Sequence, residues 1–200
     1  MISKNAPSRA ARGLACLRGF MLVAGLALAA GCDDPFRVTA QFTNVTQPFT
    51  VHALSGSPIA FATALNIAVK SVARVDGTLA FDVAFDLNAQ GEIVLLPVNV
   101  VAQNPAGTRR VGIVRPGVAF ESVTEAPRSG YVVDSTTVVR RGEAAVVQSQ
   151  EPACALSVTP FLHAKIVVDS VDVPARTMYG RALINQNCGF RSLAPGLPAF

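Results

Sequence analysis

From residue 36 onward, apolar and polar residues alternate along this chain with period two. In Leu79-Ala80-Phe81-Asp82-Val83-Ala84-Phe85-Asp86-Leu87 the alternation is unbroken over nine residues. It assigns five large apolar side chains to one face and Ala80, Asp82, Ala84 and Asp86 to the other. This predicts a half-buried strand over 79–87 with its aspartates in solvent. Asn88-Ala89-Gln90-Gly91 then supplies turn residues before Glu92-Ile93-Val94-Leu95-Leu96, so the two runs predict a hairpin.

Comparable runs cover 36–43, 49–54, 59–70, 111–115, 118–123, 131–140, 144–148, 161–168 and 178–184. Gly and Pro punctuate them at Gly56-Ser57-Pro58, Asn104-Pro105-Ala106-Gly107, Arg115-Pro116-Gly117 and Ser129-Gly130. No stretch after Cys32 carries an apolar face at helical spacing over about 12 residues with caps. About nine to eleven short strands predict an all-β domain, an antiparallel β-sandwich or closed β-barrel-like fold with little or no helix. The expected organisation is one domain over 36–200, with a division into two small sandwiches near 103–110 as the alternative. An outer-membrane barrel fits poorly. The chain has no Trp, Tyr131 and Tyr179 are its only tyrosines, and most runs fall short of the ~9–11 residues such strands need.

The first 31 residues obey another rule. A basic stretch ends at Arg18, and an uncharged run of 13 residues, Gly19 to Gly31, leads to Cys32. That run is too short for a bilayer core, which takes about 20 helical residues, but it suits the apolar segment of an export signal. The small residues at its end meet a cysteine, and Leu28-Ala29-Ala30-Gly31-Cys32 resembles the lipobox of bacterial lipoproteins. In that family the cysteine is acylated and becomes the first mature residue. Ala29 stands where the family usually has leucine, with Leu28 one step earlier. The resemblance implies a signal peptide over 1–31, lipidation of Cys32, and a protein held in the bacterial cell envelope by its acyl chains, facing the periplasm. Asp33 and Asp34 directly after the cysteine favour the inner membrane in the better-known members, with the outer membrane as the alternative, since the rule differs between bacterial lineages. Cleavage after the A-x-A pattern Ala27-Leu28-Ala29, releasing a soluble secreted protein from Ala30, is the alternative. With a strand expected from Phe36, a tether over 32–35 reaches little more than about 15 Å.

Charge changes the picture once it is located. The chain is half apolar, 15% charged and formally +4, with a pI near 9.2, values that would suit a nucleic-acid partner. Yet Lys4, Arg9, Arg12 and Arg18 lie in a leader without Asp or Glu, and residues 32–200 carry 13 basic against 13 acidic side chains. With no helix-turn-helix, zinc-finger or RNA-binding signature either, no nucleic-acid partner is expected.

With Cys16 in the leader and Cys32 taken by lipid, Cys154 and Cys188 remain as a pair. In an oxidising compartment they are expected to form a disulfide, worth about 3–4 kcal/mol in the chain-entropy account. No metal is expected, since His163 is the nearest histidine and no C-x-x-C or H-x-x-x-H spacing completes a ligand set. No catalytic residue and no cofactor are expected: G-x-S-x-G, G-x-G-x-x-G and G-x-x-x-x-G-K-[ST] are all missing. His52 and His163 read as surface or hydrogen-bonded sheet histidines. Asp82 and Asp86, about 13 Å apart along a strand, are too distant for paired carboxylate catalysis. Asp169 and Asp172 read as a polar turn. Arg109-Arg110 and Arg140-Arg141 could meet phosphate or an acidic partner, but charged strand ends that discourage edge pairing explain them more simply. The expected function is therefore a non-enzymatic, membrane-tethered β-domain that scaffolds or binds another envelope component. A carrier of an apolar ligand is the alternative, and a hydrolase built around His52 or His163 the third reading.

Overall fold

The computed structural model describes residues 38–103, 109–157 and 159–198. The lipobox-like segment with Cys32, Asp33 and Asp34, the loop residues Asn104 to Gly107 and the terminal Phe200 lie outside the described residues. Within the compact unit Thr39–Phe200 the strands are β1 (Thr46–His52), β2 (Ala64–Asn66), β3 (Ser71–Ala73), β4 (Val83–Leu87), β5 (Ile93–Pro97), β6 (Val111–Val114), β7 (Thr137–Val139), β8 (Ala144–Gln150), β9 (Phe161–Asp172) and β10 (Thr177–Asn185). One helical turn, α1 (Val98–Val101), comes directly after β5. The strands form two five-stranded antiparallel sheets, ordered β1-β10-β9-β8-β6 and β3-β2-β4-β5-β7. They pack face to face as a β-sandwich.

The hairpin expected around residues 88–91 is present. β4 and β5 pair from Val83↔Pro97 to Leu87↔Ile93, and Asn88 N–H donates to the Glu92 carbonyl across a turn in which Gly91 takes φ +76°. The strand starts later than the alternation suggests. Asp76 accepts from the Thr78 backbone and hydroxyl, and Leu79 turns to φ +52°, so the chain is still bending where extension was expected. Three other expected strands are also revised. The described part of 36–43 is not a strand, 118–123 folds into a 3-10 turn at Phe120–Ser122, and 131–140 contributes only β7.

Between the sheets lies the main core, with Phe81, Phe85, Leu95, Ile113, Val147, Ala164, Ile166 and Met178 among its residues. Alternation sorts the first sheet as expected: Ala145 and Val147 of β8 face this core, whereas Ala144 and Val146 face away. The far face is nevertheless not wet. Phe120, Val123, Ala126 and Leu193, from segments outside the strands, cover Ala144, Val146, Val167 and Leu183 in a second apolar layer. β8 and β9 are therefore buried on both faces over most of their length.

One close approach fixes a glycine. Gly180 of β10 pairs with Phe49 of β1, and a Cβ there would lie 2.2 Å from the Val167 carbonyl oxygen and 2.6 Å from Phe49 Cζ. The Phe49 ring fills that space and rests on Phe85 at 5.4 Å between centroids. The Cys154–Cys188 disulfide is formed, with Cα atoms 5.4 Å apart, and ties the turn after β8 to the segment after β10.

Candidate functional site

Because sheet geometry is local but burial is not, the polar candidates have to be placed one at a time. Asp82 was expected in solvent and is completely buried. It sits at the bend before β4, and its carboxylate crosses the core to the other sheet. Oδ1 accepts from the Ser149 hydroxyl at 2.5 Å and Oδ2 from the Ile67 N–H at 2.5 Å. Arg109 Nη1 stands 3.5 Å from Oδ1 and 3.4 Å from Glu151 Oε2, while Nη2 donates to the Phe81 carbonyl at 3.0 Å. Burial pushes the Asp82 carboxyl above its usual range, and the Ser149 bond, the Arg109 charge and the Ile67 bond pull against that rise. Arg109, just before β6 and half-buried, is engaged by these internal groups. Asp86, by contrast, is half-buried at the rim, bonded to Ser55 and to Arg176 at 3.2 Å. The two aspartates serve separate contacts.

The histidines also part. His163 is 2% exposed beneath the second layer. Its Nδ1 donates to the Phe190 carbonyl at 3.0 Å, so Nε2 is the acceptor facing Gln148 Nε2 at 3.4 Å. Burial lowers its pKa from 6.5 to about 4, keeping the ring neutral at pH 7. Of the two expected forms, it is the hydrogen-bonded sheet histidine. His52 of β1 lies against Phe61 with ring centroids 4.4 Å apart, and its Nδ1 is 3.1 Å from Thr177 Oγ1. The two histidines sit on different strands with different partners.

Lys165, on the same face as His163, is also buried. Its ammonium donates to the Phe120 and Val123 carbonyls at 3.0 and 2.9 Å and lies over the Phe120 ring; burial lowers its pKa. Asp169 is a strand residue rather than a turn residue, pairing with Arg181 at 2.9 Å. Asp172 ends β9 and accepts from the Ala175 N–H in the turn that follows. Among the described residues there is no group of three or more His, Cys, Asp or Glu that could hold a metal ion, and no helix long and apolar enough to cross a membrane.

Open space is found elsewhere. Where the edge strands β1 and β3 face each other, a groove of about 340 Å³ runs down to the core residues Phe49, Leu65, Ala182 and Ile184. Its lip carries Val45 and Val72, 53% and 41% exposed, with Lys70 alongside. A second concavity, of about 270 Å³, lies over β6 and β8 and is lined by Arg110, Arg128, Tyr131, Gln148 and Phe161. Neither could be read from the sequence, because each joins residues more than 40 positions apart. Asp82 left one local hint: Ala84, the next residue of its expected wet face, is apolar.

No known protein family, curated protein or solved structure matches this chain.

Proposed function

We propose that this is a lipid-anchored protein of the bacterial cell envelope whose β-domain acts without catalysis, binding another envelope component. The observation that carries the reading is the groove between β1 and β3. It exposes valines beside an apolar floor at an unpaired sheet edge, the arrangement that accepts apolar side chains of a partner. The polar candidates His163, Lys165 and Asp82, meanwhile, are engaged in internal bonds. Exposed valines at the lip favour a partner over a small apolar cargo, since cargo sites enclose most of their ligand's surface.

The anchor reading rests on the lipobox resemblance, and the fold changes its geometry. Among the described residues, the chain is first hydrogen-bonded to the domain where the Gln41 and Phe42 N–H groups donate to Asn187 Oδ1. Eight residues lie between Cys32 and Gln41, so a tether running to Gln41 could span at most about 30 Å, against about 15 Å for one ending at Pro35. Beyond Gln41 the chain runs to Val45, at the lip of the groove.

The test places a photo-crosslinking residue at Val72 in the membrane-resident protein, with the same label at Val138 of edge strand β7 as the control. A discrete protein adduct from Val72, missing from Val138 and lost when Val45 is changed to Lys, is expected. A small-molecule adduct instead would establish the carrier, and equal labelling at both edges would refute the groove. Intact mass of the same preparation should begin at Cys32 with added acyl mass; an unlipidated mass from Ala30 would refute the anchor.

A further inference from the structure

The adjacent arginines Arg109 and Arg110 separate in the structure, and the separation leaves a second site. Arg109 turns inward to Asp82 and Glu151. Arg110 is exposed and lines the concavity over β6 and β8, as does Arg128. Neither Arg110 nor Arg128 has a side-chain hydrogen bond or ion pair among the described residues, and no acidic residue lines the space. Two arginines without an acidic partner among the described residues thus line one concavity, and a bound anion would supply the missing countercharge.

The backbone beside these groups is hydrogen-bonded on both β6 and the facing loop. The Arg110 carbonyl accepts from Gln150 N–H at 2.9 Å, and Val132 exchanges two hydrogen bonds with Ile113 at 2.8 and 2.9 Å. The Tyr131 hydroxyl donates to the Pro127 carbonyl at 3.0 Å, closing the loop that carries Arg128. Gly112 lets this loop lie on β6, because a Cβ there would come 2.8 Å from Tyr131 Cβ. On the floor, the bond to His163 orients the Gln148 amide. Tyr131 and Phe161 add ring surface.

We propose that this concavity binds a small organic oxyanion, a phosphate monoester or a carboxylate, gripped by Arg110 and Arg128, with the ligand's apolar part against Tyr131 and Phe161. The planar guanidinium fork matches both headgroups through paired N–H donors. The site is separate from the β1–β3 groove and stands whether or not that groove takes a partner.

Isothermal titration of the full purified chain at low ionic strength, with phenyl phosphate, benzoate and inorganic phosphate, tests it. Phenyl phosphate or benzoate should bind saturably at one site and more tightly than inorganic phosphate, and the tighter of the two names the headgroup. Arg110→Ala and Arg128→Ala should each weaken binding about tenfold or more, whereas Arg141→Ala, at an exposed arginine outside the pocket, should leave it unchanged. Both residues are exposed, and an unchanged urea midpoint would show that the variants fold. Undiminished binding in both variants, or no saturable binding of any probe, would overturn the site; affinity for inorganic phosphate equal to that for phenyl phosphate would overturn the ring contact.

Discussion

Removing the Asp82 carboxylate tests the most demanding feature of this core. In Asp82→Ala, the Ile67 N–H and the Ser149 hydroxyl lose their acceptor in surroundings where Asp82 is completely buried and Ser149 is 1% exposed. A buried polar group left unpaired costs about 1–3 kcal/mol. Arg109 keeps Glu151 and the Phe81 carbonyl, so it adds less. The expected loss is about 3–5 kcal/mol, read as the shift in urea midpoint by far-UV circular dichroism with the disulfide intact. Asp82→Asn keeps one acceptor and no charge, and should cost less. The pH dependence has a definite sign. Burial raises the native Asp82 pKa above its unfolded value, so the native state takes up the proton more readily. Relative to Asp82→Asn, the parent therefore gains stability as pH falls through the raised pKa and loses it as pH rises. Ser149→Ala should be milder in the Asp82→Ala background than in the parent by about 1 kcal/mol or more, since the two groups share one bond. A cost below about 1 kcal/mol for Asp82→Ala, or strict additivity with Ser149→Ala, would refute the cross-sheet bond as a stabilising element.

Single positions elsewhere give two further outcomes. His163 titrates near 4 in the fold against 6.5 unperturbed, so it contributes stability fully above pH 6.5 that is lost as pH falls toward 4, about 3 kcal/mol in all. Urea midpoints of His163→Gln should decline less than the parent's over that window, and parallel declines would refute the assignment. Gly180→Ala should cost about 3 kcal/mol or more, because the new methyl meets the Val167 carbonyl as well as the Phe49 ring. Phe49→Leu should not rescue it, since the backbone clash remains; a Gly180→Ala midpoint equal to the parent's would show that the strand can shift.

How much was legible differs by element. The β4–β5 hairpin and the strands β8, β9 and β10 arise from alternation and turn residues, which are properties of neighbours in the chain. The strand start near 83 was hidden by the Asp76–Thr78 turn, whose hydrogen bonds interrupt an unbroken alternation. Phe120 and Val123 lie in an apolar run that reads as a strand, although three positions apart they would face opposite sides of one. The 3-10 turn Phe120–Ser122, with about three residues per turn, brings both to the second layer instead. The Cys154–Cys188 bond could be reached by counting cysteines, while the two concavities could not be foreseen, since their walls come from distant segments.

The sequence by itself determined which side chains share a face. A strand's pleat is set by the backbone, so Leu162, Ala164 and Ile166 fall on one side of β9 and His163, Lys165 and Val167 on the other without reference to anything else in the molecule. Only the tertiary structure decided whether the second side was wet. That depended on whether residues 120–126 and 190–193 would fold back over it, and they do, with Lys165 holding the Phe120 and Val123 carbonyls and His163 the Phe190 carbonyl. Polar residues that looked like solvent contacts, or like chemistry in waiting, became the bonds that fasten one layer to the next.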